Sequence, residues 1–342
     1  MIQLVKELCQ LFGPSGCEDE VRQYIHEIVS NYADSCHTDA NGNLIVFKKG
    51  AKNPCKAVLL AAHMDEVGLI IRGITDSGYL KFSFVGGVDS RVVIGRKVII
   101  GDNRIPGVIG VKAYHLVDKS EEKKAIPADK LYIDIGAADK DEAKALVSLG
   151  DYGCFCSEPF MMGDDMFKAK AIDDRVGCAA LIKLIEKPLP FDTWFAFTVQ
   201  EEIGTRGALG AAFSVKPDIA IIAEGTTAAD LPSMPDHKKV CAPGKGVVIP
   251  FMDKGAIYSR EIYAILSKIA EENDIKWQTK RRSAGSTDGK SVQRSGFGVK
   301  TGALSGAIRN IHSPVCVGKI SEFDDLLLVA QKFLEYCSSN AV

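Results

Sequence analysis

Two changes of texture along the chain restrict its fold more than any other feature. Up to Ala62 the residues alternate between helix and strand patterns. Ile2, Val5, Leu8, Cys9 and Phe12 fall close to helical spacing and stop at the breaker Gly13-Pro14-Ser15-Gly16. Val21, Tyr24, Ile25 and Ile28 mark a second helix, and Leu44–Phe47 a strand after the turn Asn41-Gly42. Ala57–Ala62 is an unbroken apolar run, of the kind buried on both faces of a parallel sheet. From Leu69 to Asp165 short β-branched runs alternate with glycine turns instead: Leu69–Ile74, Leu80–Val85, Val92–Ile100, Gly107–Val111 and Leu131–Ile135. One short helical stretch, Lys140–Leu149, interrupts them. Such spacing predicts a small β-barrel or sandwich.

After Met166 the first texture returns. Arg175–Glu186 is helical, and Thr193–Val199 and Asp218–Ala223 are apolar strands. Ser259 is placed to cap a helix, and Ser321 with Asp324 resembles a capping box before the last one. Neither flank alone supplies a full sheet. The reading is one discontinuous α/β domain, residues 1–68 and 166–342, interrupted by an inserted β-barrel domain, residues 69–165. The length of 342 residues agrees, since single cores stop growing at about 250–300.

Charge excludes several partners. The chain carries 42 basic and 44 acidic residues, a net charge of -2, with no basic tail, so no nucleic-acid footprint is expected. Met1–Glu7 lacks the basic-then-apolar layout of a signal peptide. No apolar run approaches the roughly 20 residues that span a bilayer. A cytoplasmic protein without membrane attachment is expected. Ten cysteines are scattered with no C-x-x-C, which fits buried thiols acting as small hydrophobes better than disulfides or zinc knuckles. The charged run Lys119–Lys124 reads as a solvated loop.

Three apolar strands lead into chemistry-bearing residues: His63-Met64-Asp65-Glu66, Gln200-Glu201-Glu202 and Glu224-Gly225. Ligands of open α/β sheets bind beyond the carboxyl ends of strands, so His63, Asp65, Glu201, Glu202 and Glu224 can meet at one edge. Any one of them alone reads more simply as the start of a solvated loop; their convergence carries the argument. Asp173 and Asp174 lie where a helix begins, and an N-cap accounts for either of them without a metal. His312 lies in a loop before the last helix, and a surface hydrogen bond would account for it. Together, two histidines and several carboxylates suit zinc, cobalt or manganese. A two-metal site needs about this inventory.

The segments His63-Met64-Asp65-Glu66-Val67-Gly68, Asp173-Asp174-Arg175, Gln200-Glu201-Glu202-Ile203-Gly204, Glu224-Gly225-Thr226-Thr227 and Arg309-Asn310-Ile311-His312-Ser313-Pro314 resemble the M42 metallo-aminopeptidases. This family includes glutamyl aminopeptidases and the so-called cellulase M proteins. Ser286-Thr287-Asp288 resembles the family's short Thr-Asp segment. The motifs occur in family order over nearly the whole chain. The resemblance implies a zinc-peptidase-like three-layer α/β domain with an inserted PDZ-like β-barrel that serves in dimerisation or oligomerisation. It implies two divalent metal ions, zinc or cobalt. His63, Asp173 and Glu224 would hold one and Asp173, Glu202 and His312 the other, with Asp173 shared. Asp65 would stand behind His63, and Glu201 would be the general base for hydrolysis of peptide N-termini. A cis Asp173–Asp174 bond and a homo-oligomer, as large as a dodecamer, are also implied.

One departure concerns Glu224, where many members carry Asp. In the wider clan, Asp or Glu at that position tends to track aminopeptidase or carboxypeptidase activity; the reading remains an aminopeptidase. Two rivals are weighed against it. A glycoside hydrolase would use Glu201 and Glu202 as its carboxylate pair and leave both histidines idle. A catalytically weak scaffold homologue would not need the full ligand set.

Overall fold

The computed structural model describes residues 1–53, 56–119 and 124–340. Residues 120–123 of the charged run, and Cys55, lie outside the described residues. Two helices open the chain, α1 (Ile2–Gln10) and α2 (Asp19–Val29), followed by the strands β1 (Ser35–Thr38), β2 (Leu44–Lys48) and β3 (Val58–His63). The barrel segment holds β4 (Gly68–Ile74), β5 (Leu80–Val85), β6 (Lys97–Ile100), β7 (Ile105–Gly110), β8 (Tyr132–Asp134), the helix α3 (Lys140–Leu146) and β9 (Tyr152–Phe155). Next come β10 (Phe160–Met162), β11 (Met166–Ala169), α4 (Ile172–Ile185), β12 (Thr193–Thr198), α5 (Arg206–Val215) and β13 (Ile219–Thr227). The chain finishes with β14 (Val247–Val248), α6 (Arg260–Glu272), β15 (Trp277–Gln278), α7 (Gly289–Val292), β16 (Lys300–Ile308), β17 (Cys316–Lys319) and α8 (Ile320–Ser339).

The main sheet runs β1-β2-β12-β3-β13-β16-β14-β15. Its centre, β12-β3-β13-β16, is parallel. Alternation along β3 shows why its run is apolar throughout. Leu60 and Ala62 face one core, with α1, α2, α4, α6 and α8, while Leu59 and Ala61 face the other, with α5 and α7. That makes three layers. Helix α4 lies deep in the larger core, and past its charged first turn Val176–Ile182 is buried residue after residue, so that stretch is apolar all round.

The inserted segment closes into a barrel, β4-β5-β8-β7-β6-β9. Its interior is filled by alternate residues, among them Leu69, Ile71, Leu80, Phe82, Val98, Ile100, Ile109 and Ile133. Beyond Phe155 the chain leaves the barrel, because β10 pairs with β11, and β11 with β17, in a separate small sheet.

Several local expectations change. The run Val92–Ile100 yields a strand only from Lys97, preceded by a short 3-10 turn at Ser90–Val92. Ser259 does cap α6, accepting from Ile262 N. Ser321 does not cap α8: β17 passes directly into the helix at Ile320, and the Ser321 hydroxyl donates to Asp165 at 2.7 Å. Strand β16, rich in glycine and small residues, escapes notice in the sequence yet lies near the sheet centre. The described cysteines are free; Cys9, Cys154, Cys178, Cys241 and Cys316 are buried, but Cys156 is exposed. Among the described residues no helix is long and apolar enough to cross a membrane.

Candidate metal centre

The parallel strands β3 and β12 deliver their carboxyl ends side by side, Thr198 pairing with His63. His63 closes β3, Asp65 follows it, and Glu201 and Glu202 follow β12. Glu224 lies inside β13, which runs on to Thr227, rather than beyond a strand end as the apolar run Asp218–Ala223 suggested. Its extension rests on full pairing with β16, from Ile219 with Lys300 to Thr227 with Ile308.

Asp173 reaches the site from a distorted first turn of α4. Ala171 has φ 51°, Asp173 and Asp174 depart from helical angles, and the bond between the two aspartates is cis. Close approach here depends on Gly225, where a Cβ would fall 2.7 Å from Asp173 Oδ1. Asp174 is fully buried beside Asp173. Its Oδ1 accepts from Gly177 N at 3.0 Å, as a helix cap does, and its Oδ2 accepts from His63 N at 3.3 Å.

His63 Nε2 lies 3.0 Å from Glu224 Oε1 and 3.3 Å from Asp173 Oδ1. His312 Nε2 lies 3.1 Å from Glu202 Oε2 and 3.6 Å from Asp173 Oδ2. Asp173 therefore stands between the two imidazoles, one oxygen toward each. On the far side of His63, Nδ1 is 3.1 Å from the Asp65 carbonyl and 3.4 Å from Asp65 Oδ1. On the far side of His312, Nδ1 is 3.0 Å from the carbonyl of Gly87, in the barrel segment. Both rings are thus oriented from behind, as ligating histidines usually are. His312 remains partly open to solvent, at φ 57° in the loop after β16.

Buried carboxylates crowd the two imidazoles. Burial lifts Glu202 to about 7, and pushes Glu224 and Glu201 well above the ordinary carboxylate range. For Glu201 the charges of Asp288, Glu202 and Asp65 add to burial, and His63 opposes it. Burial works against a charged His63, yet Glu224, Asp173 and Asp65 outweigh it and hold the imidazole well above its usual value. Asp173 Oδ1 and Glu224 Oε2 are buried without hydrogen-bond partners. Buried carboxylate oxygens without partners, beside imidazole nitrogens, are the donor set that a transition-metal cation satisfies. Among the described residues, His63, Asp173 and Glu202 bring ligand atoms within 4.8 Å of one another, as do His63, Asp174 and Glu224.

All seven residues singled out in the sequence lie around this pocket. The contacts that support them are not legible in the sequence. Ser15 Oγ donates to Asp65 Oδ2 at 2.6 Å, and Asp65 accepts from Glu201 N at 3.0 Å and Glu202 N at 3.1 Å. Asp288 is buried, lifted to about 6 by burial, and accepts from the Thr198 hydroxyl. Beside the pocket, Glu66 pairs with buried Lys170 and Arg175. No periodicity announces such contacts, because they join residues far apart in sequence.

The family model of the M42 glutamyl aminopeptidases matches residues 42–327, a span that holds His63, Asp65, Asp173, Glu201, Glu202, Glu224 and His312. A lysyl aminopeptidase of Pyrococcus furiosus is 30% identical over 97% of this chain and 96% of its own length. Among solved structures, the aminopeptidase APDkam598 of the archaeon Desulfurococcus kamchatkensis superposes with a TM-score of 0.93. It is 32% identical and covers 100% of this chain and 97% of its own. The TET1 peptidase of Pyrococcus horikoshii, which can assemble into a tetrahedron or a large octahedral shell, gives a TM-score of 0.86 and 36% identity. That match covers 97% of this chain and 98% of the other. By the family-model match and these relatives, the chain belongs to the M42 glutamyl aminopeptidase family and is a peptidase, a hydrolase of peptide bonds.

Proposed function

We propose that this protein is an aminopeptidase dependent on two divalent cations, zinc or cobalt, acting on peptides with a free N-terminus. The observation that carries the reading is Asp173, with one carboxylate oxygen 3.3 Å from His63 Nε2 and the other 3.6 Å from His312 Nε2. His63, Asp173 and Glu224 would hold one ion, and Asp173, Glu202 and His312 the second. When bound, such a pair supplies Lewis acidity toward a scissile carbonyl and acidifies water toward a pKa of about 7.

Glu201 takes the proton of the attacking water and returns it to the leaving amine. Burial holds its carboxyl basic, which suits a general base. Asp65 fixes the His63 ring and, through the amides of Glu201 and Glu202, the loop that carries the base. The acidic pocket receives the substrate's α-ammonium, which selects N-termini. Enclosure of both imidazoles by carboxylates favours this over a two-carboxylate glycosidase, since Glu202 faces His312 at 3.1 Å. The Pyrococcus horikoshii peptidase's assemblies support a homo-oligomer here as well.

A panel of aminoacyl-nitroanilides tests the function, run after chelation and then with zinc, cobalt or manganese restored. Hydrolysis should vanish with chelator and return with metal, and N-acetylated versions should resist. Equal cleavage of free and acetylated substrates would reject the α-ammonium step, and hydrolysis that persists in chelator would reject the metal reading.

A further inference from the structure

Strand β12 ends at Thr198, and the four amides that follow leave the sheet. Each finds a side-chain oxygen from an earlier part of the chain. Val199 N donates to Asn43 Oδ1 at 3.0 Å and Gln200 N to Glu18 Oε1 at 3.1 Å. Glu201 N donates to Asp65 Oδ1 at 3.0 Å and Glu202 N to Asp65 Oδ2 at 3.1 Å. Ser15 Oγ holds the same Asp65 oxygen at 2.6 Å, and Glu18 Oε1 also accepts from Gly16 N at 2.7 Å. Ser15 and Glu18 are buried, 1% and 5% exposed. Gln200 sits at φ 57°, a backbone region that non-glycine residues seldom occupy, so its conformation needs outside support.

We propose that Ser15 and Glu18, on the short segment between α1 and α2, are positioning residues for the reaction. They strap the Gln200–Glu202 segment so that the Glu201 carboxyl stands in register with the metal ligands. Glu18 acts on the backbone one residue before the base, and Ser15 acts through Asp65 on the amides of the base and of Glu202. The breaker Gly13-Pro14-Ser15-Gly16 thereby gains a role beyond ending a helix. Its backbone is itself docked on the loop that leaves β3, with Glu66 N donating to Gly13 O at 2.9 Å and Ser15 N to Glu66 O at 3.1 Å. This inference rests on Glu201 being the base.

The test uses the full-length metal-loaded protein and the variants Glu18→Ala, Glu18→Gln, Ser15→Ala and Glu201→Gln. Readouts are kcat, KM, metal per subunit and melting temperature. Groups that orient a site from behind typically contribute 10- to 100-fold, so Glu18→Ala should lower kcat by about that factor with KM and metal content kept. Glu18→Gln retains an acceptor oxygen for Gln200 N and should recover most of the loss. Ser15→Ala, which removes one hydroxyl, should show a smaller kcat-only loss, and it carries the test if Glu18→Ala does not fold. Unchanged kcat in the folded variants overturns the strap, as does a loss that follows metal content or melting temperature, or one that Glu18→Gln does not rescue. If Glu201→Gln itself keeps full kcat, the base assignment fails and the strap with it. If Glu201→Gln is inactive while Glu18→Ala and Ser15→Ala are not impaired, the strap alone fails.

Discussion

Removing the Glu66 carboxylate should cost stability without touching a proposed metal ligand. Glu66, Lys170 and Arg175 are 2%, 3% and 0% exposed. The Lys170 ammonium pairs with Glu66 and donates to Leu11 O at 2.7 Å. Arg175 Nη2 lies 3.5 Å from the same carboxylate, and Nη1 donates to Leu8 O at 2.9 Å. In Glu66→Ala two buried cations lose their shared counter-charge. Breaking a buried pair in this way typically costs about 3–5 kcal/mol, because the remaining charge is left without compensation. With an unfolding entropy of about 2.1 cal/mol/K per residue over 342 residues, that corresponds to a fall of roughly 4–7 °C in melting temperature. Calorimetry of wild type, Glu66→Ala and Glu66→Ala/Lys170→Met measures it. The double variant removes one orphaned cation and should regain part of the loss. A single variant melting within about 1 °C of wild type would refute the argument, since it would mean that the cations need no partner.

Further outcomes follow from the same geometry. Glu201→Gln should keep its metals while kcat falls about 10²- to 10⁴-fold, the usual contribution of proton transfer, whereas Glu202→Gln should lose metal on dialysis; elemental analysis of both distinguishes them. Gly225→Ala places a Cβ 2.7 Å from Asp173 Oδ1, so metal retention after dialysis should fall even though no ligand has changed. Gly86, at φ +86°, has room for a Cβ only 2.8 Å from Val67 Cγ1 and 3.3 Å from Glu202 Cβ. Gly86→Ala should therefore destabilise by about 1–2 kcal/mol from backbone strain alone, read by denaturant unfolding, and should weaken metal binding through Gly87 and His312.

Strong local patterns made much of the architecture legible. The apolar run of β3, the helical spacing of α1 and α6, and the short strands of the barrel each follow from burial on one face or two. Strand β16 was hidden because Gly302, Ser305 and Gly306 pack tightly without an apolar signature. The end of β13 is hidden because Glu224 looks like a strand's exit, yet pairing with β16 continues through it. At the site, the ligand candidates could be named from residue type and order. Ser15, Glu18 and Asn43 could not: Glu18 and Asn43 accept from backbone amides 182 and 156 residues away, Ser15 donates to a carboxylate 50 residues on, and a polar side chain in a loop gives no sign of its partner.

The central claim is that two cations share Asp173, and metal content per subunit tests it most directly. Wild type and Asp173→Asn, each loaded with cobalt or zinc and dialysed, would be compared by elemental mass spectrometry, with circular dichroism confirming that both are folded. Two ions per subunit in wild type and none retained in a folded Asp173→Asn are expected. Two ions retained in Asp173→Asn, or one in wild type, would contradict the shared-carboxylate centre.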